Sequence, residues 1–235
     1  MRARTIFAWQ LGLIALLCAP YAVDAAYNVL TDRPGHLPFV HPGFDLDEEM
    51  NPPALFSALA WLAVAAASLA LAMREHGAER LAWVAAAAVA AFIAIDEAVQ
   101  VHEQIANLIA DAPATGFLWW PWVTLYGGLA LAALACAWPT FRRMAQQDRT
   151  FILAGAGVFL VGAVGFEIIG AAIIADKPYY AIVADPPTKY RLSVLCEEAL
   201  EMLGVALALR GLLSAGQRRA PISREPAALA RSQPH

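Results

Sequence analysis

Asp96, Glu97, Glu103, Glu167, Glu197, Glu198 and Glu201 are acidic side chains set in stretches apolar enough to cross a membrane, with no Lys or Arg within a helical turn of any of them. An ionised carboxylate in hydrocarbon costs about 2.5–3.5 kcal/mol even on lenient insertion scales, so each such group must be protonated, bound to a cation or turned toward water. Two chemistries use many carboxylates behind a dry wall: holding a hard or borderline divalent metal, and moving protons. His102, beside Glu103, adds the imidazole that shifts a carboxylate site toward Mn, Fe or Zn.

Helical spacing gathers these groups. At about 100° per residue, Asp96, Gln100, Glu103 and Asn107 fall within an arc of roughly 60°. Glu97 and Gln104 form a second line on one flank, and His102 lies on the other. Glu197 and Glu201 share a helix face at i and i+4, with Glu198 at its border. Glu167 sits in a segment carrying Gly155, Gly157, Gly162, Gly165 and Gly170, which permit close approach of a neighbouring backbone. This pattern assigns Asp96, Glu103, Glu167, Glu197 and Glu201 as ligands of one divalent metal, with room for a second. His102 is expected as a ligand or proton shuttle, and Glu97 and Glu198 as general acid or base. No Glu-x-x-His occurs, which sets the chain apart from the helical di-iron proteins, and the histidine clusters of membrane desaturases and ceramidase-like hydrolases are absent.

The class of protein is set by composition. Of 235 residues, 60% are hydrophobic and only 15% charged, and the mean hydropathy is +0.55. The apolar residues come in long blocks, which is the pattern of an integral membrane protein. Nucleic-acid binding is excluded, because no basic surface interleaved with aromatic residues is present and the net charge is −4. Cys18, Cys136 and Cys196 stand alone in apolar segments and read as inert packing residues.

The expected fold is all-α: a polytopic bundle of six transmembrane helices at 6–29, 54–73, 81–110, 117–138, 150–175 and 192–213. Asn51 followed by Pro52 has the form of an N-cap and first helical residue. Arg2, Arg4, Arg74, Arg80, Arg142, Arg143, Arg149, Arg210, Arg218, Arg219, Arg224 and Arg231 fall on one side, which the positive-inside rule makes cytoplasmic, and both termini with it. Lys177, Lys189 and Arg191 in the 176–191 loop go against that majority. Ala22-Val23-Asp24-Ala25 passes for a signal-peptide cleavage site, and cleavage there leaves five spans. Residues 1–214 form one transmembrane domain, and residues 215–235, rich in Arg, Pro, Ser and Ala, form a disordered basic cytoplasmic tail that meets anionic lipid headgroups. Trp119, Trp120, Trp122 and Tyr126 read as an interfacial belt, and His36, His41, Asp45, Asp47, Glu48 and Glu49 as a solvated loop with one helix-starting turn.

Several landmarks resemble a family of bacterial six-helix integral membrane proteins without an assigned activity. They are Glu49, Asn51, Pro53, Phe56 and Ser57; Asp96-Glu97 with His102-Glu103; Gly165-Phe166-Glu167; and Glu197-Glu198-x-x-Glu201-x-x-Gly204. The resemblance implies a bacterial inner membrane and treats these positions as one unit, but supplies no reaction. With the orientation above, all seven acids lie in the outer half of the bilayer, and the site faces the periplasmic or outer side. The favoured expectation is a metal-dependent membrane enzyme, a hydrolase or oxidase, acting on a lipid-like or membrane-soluble substrate. A proton- or cation-coupled carrier is the alternative, and a non-catalytic metal-binding or assembly subunit a further one. The carrier is disfavoured because the sequence shows no inverted repeat and no Gly/Pro break in the acidic helices.

Overall fold

A computed structural model describes residues 2–31, 37, 40, 43–48, 50–99, 101, 121–174 and 186–219. All regular structure among them is helical: α1 (Ala3–Thr31), α2 (Pro52–Ala72), α3 (Gly77–Val99), α4 (Pro121–Arg142), α5 (Gln146–Leu160), α6 (Glu167–Ile174) and α7 (Thr188–Arg219). A π-helical segment, Val161–Phe166, joins α5 to α6, so Gln146–Ile174 runs as one rod. The described parts of the six segments read from the sequence fall on helices and their caps, with 100, 102–110, 117–120 and 175 lying outside the described residues, and four helices, α1, α2, α3 and Gln146–Ile174, are long and apolar enough to cross a membrane.

The last helix is the hub. It packs against α1, α2, α5, the π segment and α6, and Met202, Ala206 and Val205 in its middle are at most 1% exposed. Small residues make this packing possible. A Cβ on Gly155 would lie 2.6 Å from Ala208 N, and one on Gly204 would lie 2.6 Å from Phe159 N, so the backbones of α5 and α7 touch where only glycine fits. One apolar cluster around Trp83, Phe141, Leu71 and Leu212 joins α2, α3, α4 and α7, with the Trp83 and Phe141 rings edge to face at 5.7 Å. A second, around Tyr21, Val40, Leu46, Val194 and Met202, joins α1 and α7 to the α1–α2 connection.

The bundle has two chemically distinct ends. At the basic end the start of α1, the α2–α3 and α4–α5 turns and the end of α7 meet. There Arg218 Nε donates to Asp148 Oδ2 at 2.8 Å, Arg219 bonds Glu75 at 2.5 Å, Arg143 pairs with Glu79, and Arg74 donates to Gly216 O at 3.0 Å. These contacts carry α7 on to Arg219, so residues 215–219, expected in a disordered tail, are helical, and Ala215 is buried. The rest of that tail lies outside the described residues.

At the acidic end, Arg191 Nη1 bonds Asp24 Oδ2 at 2.7 Å with both side chains 1% exposed. Arg191 Nε also donates to Pro186 O, and Leu37 N donates to Asp24 Oδ1 at 2.7 Å. Arg191 is therefore a structural partner of α1, not a loop charge that votes on orientation. Asp24, in the middle of the candidate cleavage site, is built into the core instead of being displayed in a flexible strand.

Asn51 caps α2 as its sequence context implies: its Oδ1 accepts from Ala54 N at 3.0 Å, with Pro52 at the first helical position. Its Nδ2 donates to the carbonyls of Asp45 and Glu48 at 2.6 and 2.5 Å, folding the preceding turn back onto the helix. This turn differs from the solvated loop expected of it. Asp45 and Leu46 are 4% and 5% exposed, because Leu46 inserts into the second apolar cluster and draws its neighbours down with it.

Candidate functional site

The π segment and α7 position the acidic groups against each other. A Cβ on Gly162 would lie 2.8 Å from the Glu197 carbonyl oxygen and 3.0 Å from Glu201 Cγ, so glycine lets the acidic turn of α7 lie directly on the π segment. A π turn inserts a residue into the helical count and rotates the downstream residues by roughly 100°, and such turns recur at functional sites. Glu167 is the first residue after it. The expectation of an unbroken fifth helix misses this feature, since the segment stays helical and carries no proline.

The Glu167 and Glu197 carboxyl groups stand close enough to influence each other, with Glu198 and Asp47 also within electrostatic reach of Glu197. Glu201 is surrounded by Glu97, Glu198, Glu197 and Glu167, in decreasing order of influence. Carboxylates from α3, α6 and α7 thus come within electrostatic reach of one another, and all five are partly buried. An ionised carboxylate is an acceptor only, so two carboxyl groups hydrogen-bond each other only with a proton between them. A cluster of this kind collects positive charge, as protons or as a cation.

Two further residues belong to this end of the molecule. The Tyr190 hydroxyl donates to Asp47 Oδ1 at 2.9 Å, tying the turn before α2 to the start of α7. Tyr190 also stands within electrostatic reach of Glu167, and its ring lies 3.5 Å from the position a Cβ on Gly170 would take. Asp47 and Tyr190 therefore lie at the same end of the bundle as the carboxylates. Asp47 reads as loop from sequence, and the signal that bears on it is the Asn51-Pro52 cap, which forces the chain four residues earlier to turn at the mouth of the bundle. Ser57, one of the landmark residues, is 1% exposed in α2, and its Oγ has no hydrogen-bond partner among the described residues.

Of the other expected site residues, Asp96 is buried on α3, on the face adjoining that of Glu97. His102 and Glu103 lie outside the described residues, as do Glu49, His36, His41, Trp119 and Trp120. Among the described residues, no three His, Cys, Asp or Glu side chains are set to hold a metal ion.

No curated protein and no solved structure matches the chain. Residues 11–215, which include all seven membrane acids, match a family model described as a domain of unknown function, DUF8692, and the chain belongs to that family.

Proposed function

We propose that this is a six-span membrane protein, its basic end cytoplasmic, whose outer half holds a divalent metal, Mn, Fe or Zn, in a carboxylate site that acts on a lipid-like or membrane-soluble substrate. The observation that carries this reading is the enclosure of Glu201 by acidic groups from three helical elements. Packing so many carboxylates in a dry place is tolerable only with compensating positive charge, and one divalent ion supplies two units of it. Glu167, Glu197 and Glu201 are the proposed ligands on the described elements, and Asp96, Glu103 and His102 extend the set on the third helix. Glu97 and Glu198 border the site and act as general acid or base. The metal would lower the pKa of a bound water and polarise a substrate carbonyl or phosphoryl oxygen.

Elemental analysis of detergent-purified protein tests this directly. The expected result is stoichiometric Mn, Fe or Zn, abolished by Glu103→Ala or Glu201→Ala and retained by Glu79→Ala at the opposite end. Folded protein without bound metal would reject it.

A second reading, a proton- or cation-coupled carrier, draws on the juxtaposed Glu167 and Glu197 carboxyl groups, which would share a proton between two elements. The π segment beside it supplies the irregular helix that the sequence did not show. Against it stands the basic end, where α7 is fastened to the α2–α3 turn and the first turn of α5 by ion pairs. Cation uptake into proteoliposomes driven by a pH difference would separate the two readings.

A further inference from the structure

Among the described residues, one arginine toward the basic end is held by aromatic rings. Arg210 Cζ stands 3.9 Å from the centroid of the Phe151 ring and 4.8 Å from that of Phe7, so rings from α5 and α1 both hold the guanidinium. Arg143, Arg218 and Arg219 reach carboxylates, and Arg74 and Arg149 reach carbonyls. Among the described residues no acceptor serves Arg210, whose contacts are the two rings.

Aromatic rings satisfy the faces of a guanidinium by cation–π attraction and leave its edge, with up to five N–H donors, for an acceptor from elsewhere. The depth of the residue narrows what that acceptor is. Phe7 and Phe151 lie in the second turns of α1 and α5, and Arg210 lies about 14 Å along α7 from Glu201, toward the basic end. On the proposed six-span reading, those positions fall within about a turn of the basic ends of their spans, near the level of the bilayer phosphates. Phe151 also lines an open depression of about 490 Å³ with Gln146, Gln147 and Thr150, a mostly apolar surface with a few polar groups that can receive the glycerol and upper acyl region of a lipid beside its headgroup. Leu11, one turn on from Phe7 and exposed, begins an apolar flank for an acyl chain.

We propose that Arg210, clamped by Phe7 and Phe151, binds the phosphate of an anionic membrane phospholipid whose glycerol and upper acyl region occupies the depression formed by Gln146, Gln147 and Thr150. Planar guanidinium and phosphate match through two parallel hydrogen bonds, and stacking fixes the donor plane before the lipid arrives.

Native mass spectrometry of the full-length protein, titrated with phosphatidylglycerol, reads this out. One lipid is expected to survive on the wild type after mild delipidation, and Arg210→Gln weakens it about tenfold, the scale of a lost charge-assisted contact. Arg210→Lys keeps the charge but not the fork and falls between the two. Phe151→Leu, which leaves the arginine in place, weakens binding by a smaller factor, and Arg142→Gln, also basic and at the same end, leaves it unchanged. Equal lipid retention by Arg210→Gln and wild type would overturn the proposal. So would an equal loss in Arg142→Gln, which means diffuse charge, or displacement of the lipid by inorganic phosphate at matched concentration, which makes free phosphate the ligand. Metal content measured on the same samples is expected to be identical in all variants, so this inference and the proposed metal centre fail independently.

Discussion

The two ends of this bundle use carboxylates in opposite ways. At the basic end Glu75, Glu79 and Asp148 each meet an arginine, and the pairs fasten helix ends to turns. At the acidic end one carboxylate, Asp24, has a buried arginine, while Glu97, Glu167, Glu197, Glu198 and Glu201 face one another. The same functional group thus serves as a clasp where it meets an arginine and as a cluster that attracts protons or a cation where it is massed. Asp24 shows that the acidic end also has structural acids, recognised by their partner and not by their depth.

The contrast can be tested by removing one acid at a time and following thermal unfolding in detergent. The largest expected loss is from Asp24→Ala, about 3–5 kcal/mol, because Arg191 would be left charged and buried. An Asp24→Ala protein as stable as wild type would show that the pair is not a structural clasp. Next comes Asp148→Asn, at about 2 kcal/mol, since Asp148 is buried but Arg218 is about half exposed and can turn to water. Glu201→Gln in metal-stripped protein should go the other way, leaving the midpoint unchanged or raising it, because an amide removes one of several like charges. A loss as large as that of Asp148→Asn would place Glu201 with the clasps and erase the distinction between the ends. Asn51→Ala should cost about 1 kcal/mol through the lost helix cap, and more if the turn carrying Asp47 is released with it. The smallest effect is expected from Glu79→Gln, below about 1 kcal/mol, as the Arg143 side chain is 72% exposed and the pair is open to solvent.

How far the sequence reveals these features depends on whether the signal is local. The helical rods are legible because apolar runs of bilayer length are themselves the cause of the structure. The start of α2 is legible because the Asn51 cap acts within three residues. The convergence of Glu97, Glu167 and the α7 acids is legible because helix direction and rise alone place them at one level. Arg191 is not, since its partner Asp24 is 167 residues away and each charge looks like an ordinary loop or signal residue by itself. Arg218 and Arg219 resemble a basic tail until Asp148 and Glu75 are brought to them by folding. The π segment leaves no compositional mark, because a helix of either winding accepts the same small and branched residues.

That winding has a consequence for the chain as written. With one surplus residue between Val161 and Phe166, the direction in which Glu167 points depends on counting and not only on which amino acids are present. Excising a single residue there would let the rod relax to regular winding and swing the carboxyl about a quarter turn around its axis, while the glycine seam at Gly155 and Gly204 stayed in phase. The acidic half of the rod can therefore be dialled independently of the half that anchors it.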